Sequence, residues 1–333
     1  MRRSHRGSLS CARALLALLA VFVAGCAAAA HAPPPPRTTA VEPASVALFV
    51  LGVAQDGGLP HLGCDKDCCT SARATGRVEY PACLGLVDRR GAEAKLLLVE
   101  ATPRIEEQTA LLHQLADVRG RGRQPVDAVL VTHAHIGHYL GLALFGREVV
   151  GAKNLPVWCS PRFADYLAEH GPWQQLVALE QIEPRAFEVG ATFEPWPGIR
   201  VQALAVPHRD EYSDTMAYRI EGPNRRVLFV PDVDAWEKQP GLLERLLDGV
   251  DVAYLDATFY DGSELPGRSL DEIPHPLMTR TMDRLQEFAK ARPGALRFLH
   301  LNHTNPALHD AKLRAEIRER GFAVAEMGER VAL

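Results

Sequence analysis

The stretch "VLVTHAHIGHYLGL", Val129–Leu142, opens as an apolar β-type run and then presents His133, His135 and His138 within six residues. Side chains two apart on a strand share a face, so His133 and His135 can converge on one ion where the strand ends. His138 falls where a helix begins and can point back from its first turn. Neutral imidazole is a favoured ligand of zinc, copper and iron(II), so the cluster reads as part of a metal site.

Working outward, other apolar runs end in a residue able to bind metal. "ALAVPHRD" presents His208, "VLFVPDVD" presents Asp232, "LRFLHLNH" presents His300 and His303, and "KLLLVEAT" presents Glu100. Run length and Val, Ile, Phe and Tyr content predict strands over 45–53, 94–101, 127–133, 155–160, 199–206, 215–222, 226–232, 251–257 and 296–302. Helical spacing predicts helices over 104–118, 161–170, 235–249 (broken near Pro240-Gly241), 277–290 and 306–321. Interleaved strands and helices argue a layered α/β fold with sheets covered by helices. A Rossmann-type sheet is disfavoured, since "LGVAQDGG" lacks the dinucleotide glycine spacing.

The ordered set of strand-end ligands resembles the metallo-β-lactamase superfamily, which implies a four-layer αββα sandwich of mixed sheets flanked by helices. "VLGVAQDGGLPHLGC", "PHR" at 207–209, "YLDATFYDGSEL", "HLNHTNPALHD" and the tail "GFAVAEMGERVAL" look like coenzyme PQQ synthesis protein B and its relatives. Carried over residue by residue, the resemblance implies His133, His135 and His208 at a first metal site. It implies Asp232 as the bridging acid, and His138 and His300 at a second site. Asp232 and His300 are the residues it ties most closely to catalysis.

Gly137 occupies the carboxylate position of the superfamily's H-x-H-x-D-H pattern. The expectation is one strong ion and a second that is weak or absent, unless His303, Asp56 or Asp234 fills the gap. Three histidines and an aspartate leave the ion positive, with an open position for water whose pKa it lowers. That chemistry predicts a Zn2+ hydrolase of a small ester, lactone, amide or phosphoester acting through a metal-bound hydroxide. Fe2+ or Cu2+ chemistry on a PQQ-type precursor is the alternative, as is a carrier of PQQ or a similar ligand. "PHRDEYSDTMAYRI" places Arg209, Asp210, Asp214 and Tyr218 near His208, as a pocket wall or a solvated turn. Asp256 reads as a support for a ligating histidine or as a cap, and His275, between two prolines, as a shaper of its loop.

Residues 1–26 contain four arginines, no acid and the apolar stretch "ALLALLAVFVAG", the form of an export signal too short to span a bilayer. "VAGC" resembles a bacterial lipobox, which implies cleavage before Cys26 and lipidation of its thiol; cleavage within the Ala-rich run is the alternative. Residues 27–45, "AAAAHAPPPPRTTAVEPAS", suit a semi-rigid tether, leaving 46–333 as the folded domain. The reading is a membrane-anchored lipoprotein facing the periplasm or cell exterior. PQQ assembly begins in the cytoplasm, so an exported form departs from that role.

Of seven cysteines, Cys64, Cys68 and Cys69 lie close enough to clasp a zinc or form a disulfide, with Cys83 or His61 as a further member. The chain is 47% apolar and 23% charged, with net charge −4, and carries no basic patch. Nucleic acid is therefore not an expected partner.

Overall fold

Val46, Leu48 and Val50 alternate along one strand with Ala47, Phe49 and Leu51, and all six are buried. The first set packs into a core shared by two sheets, the second into a core shared with helices. Both faces of the strand are covered, so it reads as a continuous apolar run. This pattern recurs through a computed structural model that describes residues 45–267, 269 and 274–333. The leader, the tether and Cys26 lie outside the described residues. Among those described, no helix is long and apolar enough to cross a membrane.

The first sheet contains β1 (Val46–Gly52), β2 (Cys83–Asp88), β3 (Lys95–Val99), β4 (Ala128–Leu130), β5 (Leu155–Cys159) and β6 (Ile182–Ala186). The second contains β7 (Thr192–Trp196), β8 (Ile199–Ala205), β9 (Met216–Glu221), β10 (Arg226–Val230), β11 (Val252–Asp256), β12 (Leu296–Leu299) and β13 (Ala323–Val324). The last strand, β14 (Arg330–Ala332), returns to pair antiparallel with β1. Strand orders are β14-β1-β2-β3-β4-β5-β6 and β13-β12-β11-β10-β9-β8-β7. Each sheet is mixed: β3 to β6 and β10 to β13 run parallel, and the other pairings are antiparallel.

Helices cover the outer faces. Leu112 of α2 (Ile105–Leu115) and Phe163 and Leu167 of α4 (Pro161–Glu169) pack on the first sheet. Ser160 caps α4 by accepting from the Phe163 N–H at 3.2 Å, a bond typically worth about 1 kcal/mol. Leu243 of α6 (Leu242–Leu247), Met278 and Met282 of α7 (Met278–Arg284) and Ile317 of α9 (Ala311–Glu319) belong to the core of the second sheet. The αββα sandwich expected from the sequence is the observed fold. Its parallel strands leave their carboxyl ends along one edge, where α/β sheets gather functional residues.

Candidate metal centre

Each ligand-bearing segment leaves the end of a strand. After β4 the chain passes through Thr132 to His133 and His135, and α3 (Ile136–Tyr139) brings His138 back to the same edge. From the second sheet come His208 beyond β8, Asp232 beyond β10 and His300 beyond β12. Glu100 (φ 85°) and His300 (φ 61°) are both held in the left-handed region. Such conformations cost about 1–3 kcal/mol and persist where the surroundings fix them.

Two triads result. Ligand atoms of His133, His135 and His208 all lie within 4.8 Å of one another, as do those of Asp56, His138 and His300. Asp232 stands between them. Its Oδ1 is 3.7 Å from His208 Nε2, while Oδ2 is 2.9 Å from His138 Nε2 and 3.3 Å from His300 Nε2.

The gap expected at Gly137 is occupied from elsewhere. A Cβ built on Gly137 would fall 2.3 Å from both Cγ and Oδ1 of Asp56. Asp56 Oδ1 itself lies 3.2 Å from His138 Nε2 and 3.3 Å from His300 Nε2. A carboxylate from the loop after β1 thus stands where the helix lacks one, and glycine leaves room for it. Of the three candidates for this place, only Asp56 reaches it. Asp234 instead faces His208 Nδ1 at 3.5 Å, and His303 joins the cysteine cluster.

The electrostatics suit cations. Burial holds His133 well below the ordinary histidine range and His208 at about 4, so both are neutral and able to donate lone pairs. Burial opposes a charge on His138, yet Asp232, Glu100 and Asp56 outweigh it and raise its pKa well above the ordinary value, so these acids favour a positive charge at this point, a proton or in its place a cation. Asp232 and Asp56 stay ionised against burial because imidazoles surround them. Both ring nitrogens of His138 and of His208, and Oδ2 of Asp232, are buried and make no well-aligned hydrogen bond, only charge contacts with one another and with neighbouring acids. Buried polar atoms are rarely left so, and the donor set of imidazoles and carboxylates fits a divalent cation.

Surrounding groups orient these side chains. Thr132 Oγ1 donates to Glu100 Oε1 at 2.5 Å and lies 2.8 Å from His133 Nδ1. Glu100 Oε1 is also 3.4 Å from His138 Nδ1, so the early-strand acid supports a histidine, as such outer carboxylates commonly do.

His275 differs from its sequence reading. It lies against the centre, with ring centroids 5.2 Å from His208 and 5.9 Å from His300. Its Nδ1 is 2.8 Å from Asp256 Oδ2, and this pairing outweighs burial and raises its pKa. Asp256 is fixed in turn by the N–H groups of Val233 and Thr258. The sequence signal was the acid of "YLDATF" at a strand end; its histidine partner, nineteen residues on, had none. Tyr218 is core, fully buried and donating from its OH to the Val131 carbonyl at 2.6 Å.

The cysteine cluster also needs correction. Cys64, Cys68, Cys69 and His303 place their ligand atoms within 4.8 Å of one another. Cys83 is elsewhere, buried in β2 with its thiol toward the carbonyls of Leu84 and Glu100. All five described cysteines are free thiols. His303 Nδ1 is buried without a hydrogen-bond partner, and burial with nearby His61 lowers its pKa to about 4.

A profile of the beta-lactamase superfamily domain matches residues 96–301, and the chain belongs to that family. Within it, the chain is similar to coenzyme PQQ synthesis protein B. It is 24% identical to that protein from a strain of Methylorubrum extorquens and 27% to that from a Methylobacterium species, over 84% of this chain and 98% and 97% of theirs. Zn(2+)-bound PqqB from Methylobacterium extorquens superposes with a TM-score of 0.71 at 22% identity, covering 86% of this chain and all of that one. A diphosphatase of the PhnP family gives 0.62 at 20% identity, over 86% and 97% of the two chains.

Proposed function

We propose that the protein is a metal-dependent hydrolase holding two divalent cations. His133, His135 and His208 would hold one, Asp56, His138 and His300 the other, with the Asp232 carboxylate within reach of both groups. The observation that carries this reading is the Asp56 carboxylate in the space a side chain at 137 would fill. It supplies the acid whose absence argued against a second ion. When bound there, zinc or a similar cation would supply Lewis acidity toward an ester or phosphoryl oxygen and lower the pKa of water toward neutrality.

The chain's own residues do the rest. Asp256 binds Nδ1 of His275, fixing the ring and favouring its protonated form, so His275 is placed to give a proton to a departing oxygen or nitrogen. Arg209 Nη2, 3.5 Å from His135 Nδ1 on the exposed rim, offers a contact for an anionic substrate. The substrate class is a small ester, lactone, amide or phosphoester with a basic leaving group.

Two measurements test this. His133→Ala and His208→Ala should lower bound metal and abolish turnover; unchanged metal content would sink the centre. His275→Ala should slow alkyl esters or phosphodiesters about 10²–10⁴-fold while sparing p-nitrophenyl ones, whose leaving group needs no proton. Equal losses on both would remove the acid role.

The similarity over nearly the full length of the PQQ synthesis proteins favours a second reading, an iron- or copper-dependent enzyme or a carrier acting on PQQ or its precursor. Zinc or manganese alone in the purified protein, with no PQQ binding by calorimetry, would exclude it. Export and lipid anchoring at Cys26 belong to the same proposal and rest on the leader sequence. Cys26→Ser should move the protein from the membrane fraction to the soluble one, and unchanged fractionation would remove the anchor.

A further inference from the structure

The loop that carries Asp56 and the loop that carries His300 meet twice. Close to the centre, the Gln55 N–H donates to the Leu301 carbonyl at 2.8 Å and the Leu301 N–H to the Val53 carbonyl at 2.9 Å. Further out they meet at the thiol cluster, where Cys64 follows Asp56 by eight residues and His303 follows His300 by three. Contact between the two meeting points is direct. A Cβ on Gly57 would lie 2.4 Å from the His61 ring, and that ring stacks on His303 with centroids 4.4 Å apart. The His61 N–H donates to Cys69 Sγ at 3.2 Å, and Arg73 of α1 (Asp67–Thr75) donates to the His61 and Cys64 carbonyls at 2.7 and 2.6 Å. The side-chain partners of Asp56 among the described residues are His138 and His300, both outside its own loop.

We propose that Cys64, Cys68, Cys69 and His303 form a clasp that positions Asp56, so that the second cation of the centre is held tightly only while the clasp is closed. The clasp residues are positioning residues and touch neither triad. Three thiols and an imidazole suit zinc, whose tetrahedral bonds of about 2.3 Å set ligand atoms about 3.8 Å apart. Cys68 Sγ and Cys69 Sγ lie at 3.8 Å. The small separate core of Leu59, Cys69 and Ala72 packs beneath the cluster. Opening the clasp therefore frees this loop without cutting into the sandwich core. Its ordinary counterpart would be a second-site acid carried on α3, independent of any such clasp. Because the acid comes from a loop, its geometry depends on what ties that loop down. The inference rests on the reading of Asp56 as a ligand of the second cation.

The test is cobalt(II) titration of the full chain, in which only the thiolate cluster gives a sulfur-to-metal charge-transfer band. Cys64→Ser/Cys68→Ser should lose that band and weaken one of the two centre ions about 10- to 100-fold, the usual effect of disturbing the support of a ligand. The other ion should bind as before, which also reports that the sandwich is folded. His303→Ala, which alters no thiol, should weaken the same ion. Adding Asp56→Ala/Gly137→Asp to the double cysteine variant moves the acid onto α3 and should restore that ion without restoring the band. Wild-type affinity for both centre ions in the cysteine and His303 variants would overturn the clasp, as would failure of the transplanted acid to restore binding. Asp56→Ala alone separates the two ideas: if both centre ions stay tight in it, Asp56 is no ligand. If it loses one while the cysteine variant loses none, only the clasp falls.

Discussion

Replacing Gly137 with alanine adds one methyl group to α3 and removes no ligand, hydrogen bond or charge. The new Cβ would sit 2.3 Å from Asp56 Cγ and 2.5 Å from its Cβ, whereas carbon atoms in contact need about 3.5–4 Å. Asp56 must therefore retreat by more than about 1 Å. Metal bonds tolerate deviations of only about 0.2 Å, so the carboxylate is lost to the second site although its residue is untouched. Affinity for one ion should fall about 10- to 100-fold, or about 1.4–2.8 kcal/mol at 1.4 kcal/mol per tenfold. Gly137 has no left-handed backbone to protect, and alanine is the better helix former by up to about 1 kcal/mol. Loss of an ion without loss of apo-protein stability is the expected signature. Isothermal titration with zinc, beside thermal melts of stripped protein, reads both quantities. Two ions bound at wild-type affinity would refute the assignment of Asp56.

Further outcomes follow from the same geometry. Glu100→Ala removes the buried partner of Thr132 and His138 and should cost metal affinity about tenfold or more, read by the same titration. Asp88 accepts from Arg90 and from Trp196 Nε1 at 2.8 Å, and these bonds outweigh its burial and hold its carboxyl below the usual range. Its contribution is present above that range and disappears as pH falls through the lowered value, so the stability gap between wild type and Asp88→Asn should close in strong acid. Burial raises the Cys159 thiol to about 12 and Cys83 well above its ordinary value. In folded protein stripped of metal, iodoacetamide should modify Cys64 first and leave those two intact by peptide mapping. Leu255→Ala, in the middle of the second sheet and fully buried, should cost about 2–5 kcal/mol in denaturant unfolding.

Nine predicted strands are present, because central strands covered on both faces show as unbroken apolar runs. The strands that escaped notice had weaker patterns. β6 and β7 lie at sheet edges and keep charged residues such as Glu183 and Glu194. β2 begins at a cysteine and carries Gly85, where a side chain would strike Leu112. The imidazole cluster was legible because His133, His135, His208 and His300 follow recognisable strands and His138 lies in the helix after one. Asp56 was only one of three possibilities, since its loop has no period and its destination depends on packing against Leu301. His275 was read only as a shaper of its loop, because a loop histidine shows nothing of the buried aspartate it will meet. Cys83 was grouped by nearness in sequence, whereas His303, over two hundred residues away, is the neighbour in space.

Neither triad can be built from one sheet. His133, His135, His138 and Asp56 hang from the first, and His208, Asp232 and His300 from the second. A cation bound to either triad therefore works as a rivet across the seam between the two sheets. By mass action, each ion at about a thousand times its dissociation constant adds roughly 4 kcal/mol to the folded state. That is a large share of the roughly 5–15 kcal/mol that usually separates a native domain from its unfolded chain. With ions bound, the halves of this sandwich would be joined by coordination as well as by oil, and metal supply would set how firmly they hold.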